Sequence, residues 1–426
     1  MLRPFQQFAR TGAFSGILLL FSAALAVAWA NSPWHAAYFG AWEAHVALRF
    51  ADHTLDLSIL SWLNDGLMAA FFLLVGLEIK REVLVGELAS LRQAVLPIAA
   101  AVGGMLLPAL LFLLVNPAGS AASGWGIPMA TDIAFALGIL MLLGPSIPLG
   151  LKVFLTALAI VDDMGAVVVI ALFYSDALHL LPLAVAACCI LALIGLNVAR
   201  VRQLAPYLFL GIVLWLALHE GGIHPTIAGV LLALSIPSRT RINAEEFSRQ
   251  ARTLLDEFEQ AETGDLLVLT SKGQQEAVHA LERASEHVQA PLLRLEHALQ
   301  PVVQYGVMPL FAFANAGVRL GGTEGPAFTG VTWGILLGLI VGKPAGILLF
   351  TRLAVAMNLA ALPSGVSWRL VHGAAWLGGI GFTMSLFIAT QAFGGTGLLF
   401  PAKAGILLGS TVAGLVGAML LRSVRR

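Results

Sequence analysis

Five ionisable side chains stand inside stretches that are otherwise apolar: Asp65, Asp132, the adjacent pair Asp162 and Asp163, and Lys343. Charged groups cost several kcal/mol within a bilayer, so those that persist there line an ion or proton path. Two carboxylates at one depth in a low dielectric cannot both stay ionised without a cation, a proton or a basic partner. Successive helix residues point about 100° apart, so Asp162 and Asp163 can serve different partners. One can face an aqueous cavity and coordinate a hard cation such as Na⁺ through oxygen, while the other pairs with Lys343. Lys343 is too deep to reach the membrane surface, because Arg352 marks that surface about nine residues, or roughly 13 Å, further along. If protons and a cation compete for the same carboxylates, a site that opens to one side at a time becomes an exchanger. Asp65 fits a structural hydrogen bond between helices as well as a place in the ion path.

The elements that must hold these groups are membrane helices. The chain has 426 residues, of which 58% are hydrophobic and 11% charged, and its mean hydropathy is +0.88, whereas a soluble domain carries about 25% charged residues. Its 24 basic and 24 acidic side chains cancel, so no positive field is available to hold nucleic acid. A helical crossing needs about 20 apolar residues. Twelve stretches approach that length: 12–30, 58–79, 93–115, 121–143, 149–174, 178–199, 204–219, 222–236, 296–318, 327–350, 364–391 and 399–421, with the seventh and eighth the shortest. Basic loops stay on the cytoplasmic side. With the amino terminus inside, that side holds 20 Lys and Arg residues against three outside, Arg49, Arg319 and Lys403, so both termini are expected in the cytoplasm. The first span is preceded by Arg3 and Arg10 and ends in Ala28-Trp29-Ala30, which outlines a secretory signal. An uncleaved helix keeps the even span count and is the expected form. Cys188 and Cys189 are neighbours in the sixth span, poor geometry for a normal disulfide, and read as packing residues.

The chain therefore divides into spans one to eight (1–236), a charged cytoplasmic insertion (237–295) and spans nine to twelve (296–426). The insertion holds 7 Lys/Arg and 10 Asp/Glu with leucines at helical spacing, and is expected to be partly helical. Two spans should break. The fourth has Gly126-Ile127-Pro128 before Thr131-Asp132, and the eleventh has Gly378-Gly379-Ile380-Gly381-Phe382-Thr383. If spans three to five and ten to twelve are inverted repeats, these are the middle members of each, and such breaks point to a mid-membrane ion site. The exposed half-helix ends would carry partial charges that Asp132 and Lys343 can neutralise. The fold class is thus an all-α polytopic membrane protein with about twelve spans, inverted-topology repeats, and spans 4 and 11 interrupted and crossing at mid-membrane.

Other chemistries fit less well. A Mg²⁺-dependent intramembrane enzyme would need more carboxylates, but Asp162-Asp163 is followed by Met164-Gly165-Ala166. His219 and His224 are five residues apart rather than four, which spoils a zinc-protease pair. Gly342-Lys343-Pro344 lacks the rest of a phosphate loop, and no Gly-x-Ser-x-Gly nucleophile motif occurs. A passive cation channel is opposed by Lys343, whose fixed positive charge repels cations unless its pairing changes during a cycle. No cofactor is implied.

The motifs then meet a known pattern. Asn64-Asp65-Gly66, Gly76-Leu77-Glu78-Ile79-Lys80-Arg81-Glu82, Ala130-Thr131-Asp132-Ile133-Ala134-Phe135 and Ala159-Ile160-Val161-Asp162-Asp163 come first. Gly221-Gly222-Ile223-His224, Leu295-Glu296-His297, Pro309 through Gly317, Val341-Gly342-Lys343-Pro344 and Gly381-Phe382-Thr383-Met384-Ser385 follow. From the second span to the eleventh, the chain resembles the bacterial NhaA-type sodium/proton antiporters, themselves one of the examples behind the rule of interrupted helices in inverted repeats. The resemblance implies that Asp163 is the principal Na⁺, Li⁺ and H⁺ site. Asp162 would work beside it, pairing with Lys343 when the cation is absent, and Thr131 and Asp132 would sit where the broken helices cross, with Gly379, Gly381 and Thr383 supporting the break. Glu78, Glu82, Glu296 and His224 match positions tied to activation at alkaline pH. It further implies electrogenic exchange of more than one proton per Na⁺, a bacterial inner-membrane location in the lipid bilayer, and a homodimer. The insertion at about 245–290 is a departure from the family's best-known members.

Overall fold

The computed structural model describes the chain except residues 1, 51–52, 145–146, 176–177, 241, 262–270, 320–325 and 425–426, with the backbone alone for 2–13, 48, 50, 53–54 and 91. Arg425 and Arg426, counted among the cytoplasmic basic residues, and part of the insertion therefore lie outside the described residues. Eight helical segments are long and apolar enough to cross a bilayer: Ile59–Val85, Arg92–Val115, Ser120–Leu142, Leu149–Phe173, Leu180–Val198, Gly330–Ala356, Trp368–Phe393 and Leu399–Ser423. They fall on expected spans two to six and ten to twelve. The chain is an α-helical polytopic membrane protein.

The other four expected spans take different forms. Phe14–Ala30 and His35–Glu43 together make a ninth segment, bent by 112°. The seventh stretch is the apolar helix Leu204–Glu220 of 17 residues, and the eighth is Ile227–Ser235 with nine. The ninth is divided into Pro291–Val302, a π turn Val303–Val307 and Met308–Asn315. Pro301 and Pro309 bracket that turn, and each removes a backbone donor from the α ladder.

One short element that the sequence reading did not name accompanies the helices. Strands β1 (His45–Phe50) and β2 (His53–Ser58) form an antiparallel hairpin with His45 opposite Ser58 and Phe50 opposite His53. Val46, Leu48 and Phe50 alternate with polar or small residues, as do Leu55 and Leu57, and that two-residue period fits a strand.

Helix packing around the centre depends on close backbone approach. A Cβ on Gly346 would lie 2.1 Å from the Gly103 carbonyl oxygen, and one on Gly103 would lie 2.3 Å from that of Gly346. The helices Leu91–Val115 and Lys343–Ala356 therefore touch main chain to main chain, the use of small residues expected between membrane helices. The π turn Gly338–Gly342 immediately precedes Lys343 on the same span. In the insertion, Asn243 and Ser271 cap the helices Ala244–Gln260 and Lys272–Val288, which pack against each other.

Candidate functional site

Two breaks in helical structure meet. The 3₁₀ segment Ser120–Met129 gives way to extended backbone at 130–132 before the helix Ile133–Leu142 begins. In the other span, the helix Trp368–Gly378 ends and Phe382–Phe393 begins after three residues. The Asp132 N–H donates to the Ile380 carbonyl across the gap at 2.6 Å. Gly379 lies where a Cβ would meet the Leu339 carbonyl oxygen at 2.5 Å, so any larger residue forces the backbones apart.

Each of the four exposed half-helix ends finds a side chain. Asp132 caps Ile133–Leu142 by accepting from the Phe135 N–H at 3.0 Å. Its second oxygen accepts from the Thr383 N–H at 3.0 Å and also from the Thr383 hydroxyl. One anion therefore sits on the positive ends of two helices. Lys343 donates to the Met129 carbonyl, closing the end of Ser120–Met129, and the Thr131 hydroxyl donates to the Gly378 carbonyl at 2.8 Å, closing Trp368–Gly378. Ser385, in turn, donates to the Ile127 carbonyl at 2.7 Å, and the Ser410 hydroxyl accepts from the Phe382 N–H at 3.1 Å.

The aspartate pair lies beside this crossing, near the middle of the uninterrupted helix Leu149–Phe173. Asp162 accepts from Lys343 at 2.5 Å, and both side chains are fully buried. Asp163 is equally buried, yet neither of its carboxylate oxygens meets a protein hydrogen-bond donor among the described residues, nor does Oδ1 of Asp162. Asp162, Asp132, Glu78 and Lys343 all lie near enough to Asp163 to interact with it electrostatically. Three oxygens without donors beside a lysine-bound carboxylate suit a small hard cation or a proton, because either supplies the missing positive partner.

The remaining candidates form two other groups. On Met68–Val85, Arg81 pairs with Glu82 at 2.7 Å and reaches Glu296 of Pro291–Val302 at 3.0 Å, with Glu78 interacting electrostatically with both acids. His224 is placed elsewhere: its Nδ1 meets the Thr226 hydroxyl at 2.7 Å, its Nε2 is 3.9 Å from Asp65, and its ring stands edge-on to Phe387. Sequence reading missed Arg81, Ser385, Ser410 and Phe387. Arg81 and Ser385 fall inside motifs already quoted, so a signal was present. The role of the Met129 carbonyl carries none, since every residue has one.

A bundle of membrane helices that keeps three aspartates and a lysine dry where two helix breaks meet is an α-helical membrane protein with a buried charged centre. Specifically, the chain belongs to the Na⁺/H⁺ antiporter 1 family, whose family model matches residues 6–421. It is 49% identical to the Na⁺/H⁺ antiporter NhaA of Oleidesulfovibrio alaskensis, over 100% of this chain and 95% of that one. To the protein of the same name from Koribacter versatilis it is 49% identical over 99% of this chain and 91% of the relative. To that from Acidithiobacillus ferrooxidans it is 50% identical over 100% and 98%. These relatives bear the name of a transporter and not of an enzyme, and the matches run nearly end to end, through the insertion.

Proposed function

We propose that the protein exchanges cytoplasmic Na⁺, or Li⁺, for external protons, and that Asp163 is the group for which they compete. The observation that carries this reading is the Asp163 carboxylate, sealed from solvent and without a hydrogen-bond donor among the described residues, next to an Asp162 already paired with Lys343. With a proton on Asp163 and the Asp162–Lys343 pair intact, the three groups carry no net charge. A Na⁺ that replaces this proton keeps the sum at zero and draws Asp162 away from Lys343. Any second proton released per cycle must then come from another member of the cluster, and the ammonium that has lost its carboxylate partner is the nearest source. Releasing it makes the cycle electrogenic, so the membrane potential drives Na⁺ out.

The same reading takes twelve spans with both termini cytoplasmic, spans three to five and ten to twelve as inverted repeats, and a homodimer in the bacterial inner membrane. Exchange is regulated by pH through Glu78, Glu82, Glu296 and His224.

The test is proton movement against an imposed Na⁺ gradient in reconstituted vesicles. Wild-type protein is expected to acidify or alkalinise the lumen according to the direction of the gradient, and Asp163→Asn to reduce this to the level of protein-free vesicles. Wild-type exchange by Asp163→Asn removes the site assignment. Na⁺ currents with no coupled proton movement make the protein a channel instead.

A further inference from the structure

Polar and aromatic side chains occupy different depths along the span Ile59–Val85. Asn64 and Asp65 sit in its π turn Trp62–Leu67, Phe72 about two turns deeper, and Glu78, which interacts electrostatically with Asp163, about two turns deeper again. Phe72 meets Phe387 at 5.7 Å between ring centroids, and Phe387 meets Phe311 at 6.2 Å. All three rings are buried. Phe387 stands one turn beyond Thr383, whose hydroxyl donates to Asp132. In the proposed orientation the rings therefore lie between the carboxylate centre and a second polar group nearer the outside.

That outer group contains an amide whose two ends are assigned by its surroundings. Asn315, fully buried, closes the helix Met308–Asn315 one turn beyond Phe311. Its Nδ2 donates to Oδ1 of Asn64 at 2.9 Å and to the Phe311 carbonyl at 3.1 Å. A carbonyl can only accept, so the nitrogen must lie on that side and the oxygen on the other. Oδ1 of Asn315 has no hydrogen-bond partner among the described residues, although buried amides ordinarily satisfy both ends. The carbonyls beside it are used differently, since the Tyr38 hydroxyl donates to that of Phe313 at 2.5 Å and lies 3.3 Å from that of Ala314. The carboxyl end of the helix adds partial negative charge at this point.

We propose that Asn315 is an outer ligand for the transported cation, with Oδ1 taking the place of one hydration oxygen of Na⁺ between the aromatic rings and the external medium. A neutral oxygen suits a hard cation in passage, because it replaces water without the fixed charge that would hold the ion there. Asn64 positions the amide by accepting from its nitrogen. Asp65, the next residue, raises the local concentration of cations by its charge. The proposal rests on the exchange reading and adds to it a residue that acts on one side of the membrane only.

The test is the Na⁺ concentration that gives half-maximal exchange, measured in right-side-out and in everted membrane vesicles, where the external and the cytoplasmic face are presented in turn. Asn315→Ala should raise the external value by about three- to tenfold, the size of one neutral polar contact, and leave the cytoplasmic value unchanged. Asn315→Asp separates a ligand from a structural amide. It keeps an oxygen and loses the donor to Asn64 and Phe311, so the external value should stay at or below that of wild type. Equal effects at the two faces, no effect of Asn315→Ala, or equal impairment by Ala and Asp overturns the proposal. If Asn315→Ala does not fold, Asn315→Asp decides alone, and failure of both to fold makes the amide structural and overturns the proposal as well. Wild-type protein that exchanges nothing removes the exchange reading together with this one, whereas normal wild-type exchange with unmoved Asn315 variants removes this one only.

Discussion

Asp132 receives two backbone N–H groups and a hydroxyl. Asp163, on a neighbouring span and just as dry, receives no hydrogen bond from the described protein groups. The first carboxylate is fully used in holding two helix ends together, and its negative charge is met by the positive poles of both. The second has no such occupation. A buried anion that is completely satisfied has little to offer a cation, because the cation would have to displace donors already in place. An unsatisfied one is costly until something positive arrives. The difference separates architecture from ligand chemistry within a single cluster of like residues.

The sharpest way to break that division is to compare stability with exchange. Asp132→Ala strands the Phe135 and Thr383 N–H groups at two buried helix ends, and at about 1–3 kcal/mol per orphaned donor the protein should lose roughly 3–5 kcal/mol. Melting in detergent should fall clearly. Asp163→Asn replaces a carboxyl group that no described donor stabilises with a neutral group of the same shape, so its melting should stay within about 1 kcal/mol of wild type or rise, while exchange disappears. Equal destabilisation by the two substitutions would erase the distinction.

Lys343 belongs to both regions, since it binds the Met129 carbonyl and Asp162 together. Lys343→Ala leaves a buried carboxylate alone, which costs about 3–5 kcal/mol, and exchange should be impaired. Adding Asp162→Asn to Lys343→Ala should restore much of the melting temperature, because the unpaired charge is gone. Exchange should not return. A double variant no more stable than Lys343→Ala argues that the lysine matters for packing alone.

How much of this was legible beforehand depends on what each residue signals. The intramembrane charges announced themselves by residue type, and the spans carrying them were visible as apolar length. The run Gly126-Ile127-Pro128 and the cluster Gly378 to Gly381 marked where helical structure ends, because such residues weaken or remove the backbone ladder. What stayed hidden was made by backbone atoms or by tertiary approach. The Met129 carbonyl has no side-chain signature, and the cap that Asp132 places on a second helix requires Thr383, 251 residues away, to arrive beside it. The β hairpin went unread because its alternating run is short and lies between spans, where attention to apolar length finds nothing. Division of the ninth span by a π turn was likewise invisible to hydropathy, which counts apolar residues and not backbone donors.

The main-chain seam between Leu91–Val115 and Lys343–Ala356 tests how rigidly the lysine must be held. Gly346→Leu places side-chain atoms where the Gly103 carbonyl lies, 2.1 Å from the first added carbon, and overpacking of this kind costs about 1–3 kcal/mol. Residual exchange should fall further than Gly→Leu on a lipid-facing surface would cause, because Lys343 begins the same helix. If melting drops and the rate per folded molecule is unchanged, the seam supports stability and has no part in aiming the ammonium.

The smallest expected effect lies at the Arg81 group, where partial solvent access weakens every charge. Arg81 is 33% exposed and Glu296 is 9% exposed, so Arg81→Gln should lower stability by no more than about 1 kcal/mol. Its consequence for the proposed pH response should be larger, because the guanidinium faces Glu82 and Glu296 directly and Glu78 nearby. Without that positive charge the acids around it lose their cationic neighbour. If their ionisation switches exchange on, the activation midpoint of Arg81→Gln moves in the alkaline direction while the maximal rate is kept, since the aspartate pair is untouched. Vesicle exchange measured from pH 6 to 9 reads both quantities at once. A lowered maximum with an unmoved midpoint would place Arg81 in the ion path and take the pH response away from this group.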